Sequence, residues 1–153
     1  MKSNLVRYVD GQVIGKAFVI SGHLWLEHVL VRSLFAKLPY PDALFRERTL
    51  GFQMLVALCE ALGIIEPKLS EALRVVNTMR NRCAHHARYE PTGAEFQAVR
   101  SALEEPGEPL PPATPGEWGQ ELEIVAELLE RRARSVGATD LDAILPEDDG
   151  PQF

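Results

Sequence analysis

Apolar residues recur at helical spacing from Gly11 to Leu38, through Val13, Ala17, Ile20, Leu24, Val31 and Leu34, until Pro39 and Pro41 interrupt the pattern. This predicts a long first helix. Asp42 is placed to cap a second segment in which Leu44, Phe45, Phe52, Leu55, Leu58 and Leu62 are apolar. Thr49-Leu50-Gly51 is a point at which that segment can divide, and Gly63 stands where a helix would stop. Pro67, well suited to a first helical turn, opens a third pattern through Leu69, Leu73, Val76 and Met79 toward His85. Pro91-Thr92-Gly93 then introduces a short fourth helix with Phe96, Val99 and Leu103 on one face. Residues 104–116 hold Pro106, Pro109, Pro111, Pro112 and Pro115 among acidic residues and read as a linker, because proline removes the donors that a helix or central strand requires. A last helix is expected from Trp118 to Val136, burying Leu122, Val125, Leu128 and Leu129 and placing Arg131, Arg132 and Arg134 at the negative end of its dipole.

Neither a strand nor an internal repeat is visible, so the expected fold is all-α, a four- to five-helix up-and-down bundle. Residues 1–103 would form the bundle core, 104–116 the linker, 117–136 a C-terminal helix packed on the bundle, and 137–153 an acidic, flexible tail. Within that tail Leu141, Ile144 and Leu145 are able to dock. Trp25, Phe35, Phe52 and Phe96 occupy apolar helical positions and read as core rather than as platforms for stacking bases.

Charge sharpens this picture. The net charge of −6 argues against a protein that coats nucleic acid non-specifically, which needs many Lys and Arg contacts to phosphate. The balance is uneven, since residues 1–103 carry 13 Lys and Arg against 9 Asp and Glu, whereas residues 104–153 carry 3 against 13. Lys68, Arg74, Arg80, Arg82 and Arg88 lie close together along the chain with only Glu71 and Glu90 among them. Lys16, His23, Glu27, His28 and Arg32 interrupt the most hydrophobic stretch, so no run reaches the roughly 18–20 apolar residues of a membrane span. The start Met1-Lys2-Ser3-Asn4 lacks the pattern of a secretory signal, and a cytoplasmic location is expected. Cys59 and Cys83 fall within helical patterns, where reduced, buried thiols are expected. His23, His28, His85 and His86 with the two cysteines show no spacing typical of zinc, and neither metal nor cofactor is expected.

The basic stretch contains Arg80-Asn81-Arg82-Cys83-Ala84-His85 in the last turns of the third helix. At about 100° per residue, Asn81 and His85 share a face while Arg80 and His85 stand about 140° apart. A two-fold dimer that faces two such helix ends across one cleft would bring an arginine and a histidine together. Metal-independent cleavage of RNA requires removal of the 2′-hydroxyl proton, protonation of the leaving 5′-oxygen and stabilisation of the charged phosphate in the transition state. Histidine is the acid and base suited to neutral pH. Arginine remains charged and offers a planar fork to two phosphate oxygens. Asn81 would orient the imidazole or the phosphate without adding charge, and Arg82 and Arg88 would bind flanking phosphates.

Arg80-Asn81, three residues and then His85, at the end of a helix in a small helical bundle, resembles the HEPN superfamily of nucleotide-binding domains. The order of elements over about residues 5–100 is similar to the bacterial branch that includes mannitol-operon-repressor-like proteins: a long apolar first helix, the segment Leu50-Gly51-Phe52-Gln53-Met54-Leu55, then Ala61-Leu62-Gly63-Ile64-Ile65. The resemblance implies a homodimer with the two motifs at its interface and, in toxin and antiviral members, endoribonuclease activity on RNA. It also implies control by an antitoxin or a small nucleotidyltransferase. Arg80, Asn81 and His85 then correspond to the family's catalytic positions, and His86 to a substrate contact or, given variable spacing, the histidine itself. The alternative function is a non-catalytic regulatory or adaptor dimer of the mannitol-repressor type.

Overall fold

The computed structural model describes residues 16–46, 49–104, 107, 110, 120–139 and 141. Among them are six helices and no strand: α1 Lys16–Lys37, α2 Pro41–Phe45, α3 Phe52–Ala61, α4 Pro67–His85, α5 Gly93–Leu103 and α6 Gln120–Ser135. Residues 11–15 of the expected first helix, most of the linker, Trp118, and Ile144 and Leu145 of the tail lie outside the described residues.

Local signals account for most boundaries. α1 ends before Pro39, since a residue preceding proline is driven out of the helical region. The second apolar segment divides at Thr49–Gly51, as its composition suggested. Asp42 is not the cap of α2; Pro41 is the first helical residue and Tyr40 the cap, which puts the Asp42 carboxylate in the first turn beside the positive end of the dipole. Gly63, at φ +71°, turns the chain out of α3 while Gly63 N donates to Glu60 O and Ile64 N to Cys59 O, both at 2.9 Å. Pro67 begins α4. Thr92 caps α5, its hydroxyl accepting from Glu95 N at 3.4 Å.

The core is built around α1, which packs against α3, α4 and α6. Trp25, Leu26, Val29, Leu30 and Leu34, spaced three and four apart, are fully buried on one broad face of α1. They meet Leu55 and Val56 of α3, Leu73 and Val76 of α4, and Leu122, Val125 and Leu129 of α6 in a single cluster. Each such side chain removed from water contributes about 1.5–3 kcal/mol. Trp25, Phe52 and Phe96 are core as expected, whereas Phe35 is half-buried, stacked on Phe45 with Arg32 over its ring. Leu141 is buried, so the start of the tail does dock.

Several buried polar side chains pair between helices. Trp25 Nε1 donates to Glu130 Oε1 at 2.9 Å, joining α1 to α6. Arg100 and Glu121, each only 6% exposed, form an ion pair at 3.1 Å between α5 and α6. α4 runs antiparallel to α1: His23 meets Asn77, and Lys16 meets the chain at His86 and Ala87. It is also antiparallel to α5, through Arg82 with Glu95 and Lys68 with the carbonyl of Glu104. Among the described residues, no helix is long and apolar enough to cross a membrane.

Candidate functional site at the end of α4

α4 continues as regular helix through His85, so the side-chain directions of the motif follow helical geometry. Arg80 is half-buried, on the face that carries Leu69, Leu73 and Val76 into the core. Its Nη1 donates to Asn81 Oδ1 at 3.2 Å. His85 is exposed, as are His86 and Arg88. Arg80 and Asn81 therefore form a fixed, partly desolvated pair, while His85 projects about 140° away around the helix. Arg82 is exposed and bonded to Glu95 Oε1 of α5 at 2.8 Å. A phosphate bound by Arg82 would compete with that carboxylate.

A second histidine lies under the motif. His23 of α1 is buried, its Nε2 2.9 Å from Asn77 Oδ1, one helical turn before Asn81, and its ring lies against Phe52 at a centroid separation of 4.1 Å. With a carbonyl oxygen as partner, Nε2 carries a proton and donates it to Asn77. Burial pushes the His23 pKa down to about 4; the bond to Asn77 opposes this, and the positive charge of Arg80 adds to it. Hence a neutral imidazole supports the motif from below while the exposed imidazoles of His85 and His86 face solvent.

The third component is Lys16, in the first turn of α1. Its Nζ donates to the carbonyl oxygens of His86 and Ala87, each at 3.0 Å. The site thus draws on α1, α4 and α5 rather than on the motif helix alone. Cys83 is buried, and burial raises its thiol pKa, the opposite of what an activated nucleophile needs.

No family model matches the chain, and neither does any curated protein or solved structure compared with it. The functional reading accordingly rests on the chemistry of these residues. His23–Asn77, Lys16 and Glu95 are the components that motif reading missed. A polar residue on an otherwise apolar helical face was the available signal for His23; for Lys16, whose partners are 70 and 71 positions away, there was none.

Proposed function

We propose that the chain is a metal-independent endoribonuclease whose site is completed in a homodimer, Arg80 of one copy acting with His85 of the other. The observation that carries this reading is the unbroken helix through His85, which directs Arg80 and His85 to different sides of α4 within one copy. An arrangement of two helix ends about a two-fold axis resolves that separation. Large apolar side chains left open to solvent are compatible with a contact between copies: Leu24 of α1 is 48% exposed and Met54 of α3 is 49% exposed.

In the reaction, an imidazole takes the proton from the 2′-hydroxyl as O2′ attacks phosphorus, the P–O5′ bond breaks, and an imidazolium protonates the departing oxygen. His85 supplies this acid–base function, with His86 adjacent. Arg80 stabilises the negative charge that accumulates on the phosphorane-like transition state, an interaction strengthened by its partial desolvation. Asn81, already bonded to Arg80, orients the guanidinium. Arg88 and, on release from Glu95, Arg82 contact neighbouring phosphates. The products are a 2′,3′-cyclic phosphate and a 5′-hydroxyl.

Purified protein should cleave RNA in excess chelator and leave cyclic phosphate ends, and His85→Ala should abolish cleavage while its circular dichroism stays unchanged. Undiminished cleavage by that variant sinks the assignment. Absence of cleavage by the wild type, together with a dimer weakened by Arg80→Ala, would instead identify a regulatory or adaptor dimer.

A further inference from the structure

The helix that carries the motif ends differently from α3 and α6, and like α5, which also leaves in an extended conformation, at Glu104. α3 closes at Gly63, φ +71°, and α6 at Gly137, φ +96°, each with a backbone bond reaching back five residues: Ile64 N to Cys59 O and Ala138 N to Ala133 O. After α4 the chain instead leaves in an extended conformation at His86, φ −125° and ψ 103°, with no glycine to fold the backbone over the last carbonyls. Lys16 supplies part of what is missing. From the first turn of α1 its ammonium donates to His86 O and Ala87 O, where the negative end of the α4 dipole favours a cation. His86 O also accepts from Tyr89 N at 3.0 Å, so the turn that carries the chain from α4 toward α5 is held at its first carbonyl from two directions.

The α1–α4 contact therefore has two polar pins, His23 on Asn77 and Lys16 on His86 and Ala87, and residues 80–85 lie between them. The first pin is buried and fixes the rotation of α4 below Arg80. The second is charged, half-buried and one residue beyond His85. It is the tertiary tie closest to the histidines.

We propose that Lys16 is a positioning residue of the Arg80–His85 site, holding His85 and His86 in their working orientation by clamping the carbonyls of His86 and Ala87 to the start of α1. This rests on the ribonuclease reading given above. Lys16 acts through the backbone and does not need to touch RNA, so its loss should slow turnover more than it weakens binding.

The test compares wild type, Lys16→Met, which keeps an unbranched stem but has no donors, and Lys16→Arg, which restores a cation with several donors. Two readouts are used: steady-state RNA cleavage in excess chelator, and NMR of the full chain following the His85 and His86 imidazole signals and amide exchange at His86 and Tyr89. Lys16→Met should lower kcat by about tenfold to a hundredfold with KM changed by less than about twofold, as expected for misplaced catalytic groups. It should also shift both imidazole signals and accelerate exchange at His86 and Tyr89, while the amides of Val29 and Leu30 in the middle of α1 keep wild-type rates. Lys16→Arg should recover most of each effect. Unchanged kcat in Lys16→Met overturns the proposal whatever the amides do, and so does a change confined to KM. If the wild type does not cleave RNA, the ribonuclease reading fails by itself, and the clamp is then decided by the NMR: unaltered imidazole signals and exchange rates refute it.

Discussion

Acidification is the perturbation to which the His23–Asn77 pair responds most directly. Free histidine titrates near 6.5, whereas burial, with a contribution from Arg80, lowers His23 to about 4 in the fold. The unfolded chain therefore takes up the proton first. Its contribution to stability is complete above pH 6.5, declines as pH falls, and is gone once pH passes below about 4. The difference between the two pKa values corresponds to about 3 kcal/mol, of which about 2 kcal/mol should already be lost at pH 5. Other groups also titrate in this range, among them His28, whose pKa is lowered by burial. The informative quantity is thus the difference between wild type and His23→Gln, an amide able to donate to Asn77 Oδ1 but unable to titrate. Urea unfolding followed by Trp fluorescence at several pH values from 7.5 to 4.5 measures it. The wild-type advantage should shrink by about 2 kcal/mol between pH 7.5 and pH 5. Parallel stability curves for the two proteins would refute the buried neutral histidine. In an Arg80→Ala background the same loss should be smaller, because removing the neighbouring cation raises the His23 pKa toward its ordinary value.

Two stability predictions concern the frame that presents the site. Arg100→Leu leaves Glu121 buried without this ion-pair partner and should cost about 3–5 kcal/mol, much of it regained in the Arg100→Leu, Glu121→Leu double variant; a single-variant loss near zero in urea unfolding would contradict the pairing. Gly63→Ala meets no steric obstacle but forces a Cβ onto a left-handed backbone, so a loss of about 1 kcal/mol is expected, and a stabilised variant would rule out that turn.

How much of the fold is legible in the sequence follows from the range of the forces involved. Pro67, Thr92 and Gly63 act on their own neighbours, and each marks the boundary it was expected to mark. Asp42 misled because proline at the next position upstream suits a first turn better than an aspartate suits the cap there. Leu24 continued the apolar repeat of α1 yet is half-exposed, since periodicity identifies a helical face but not whether anything covers it. At the site, the separation of Arg80 from His85 was legible because it depends only on helical rotation. Arg82 as a phosphate contact was a reading from charge alone, and the structure adds a carboxylate partner 13 positions away. The bond from His23 to Asn77 spans 54 positions, and that from Lys16 to His86 spans 70. Both depend on how α1 docks on α4, which no local pattern encodes.

The central claim, that Arg80 and His85 act together across two copies, is tested most directly by complementation. Arg80→Ala and His85→Ala proteins should each be inactive on RNA in excess chelator. When they are unfolded together and refolded, mixed dimers should form in which one site has both groups, restoring roughly a quarter of wild-type activity if half the dimers are mixed and one of two sites is complete. A refolded mixture that is dimeric and remains as inactive as its components, alongside an active wild type treated in the same way, would contradict a shared site.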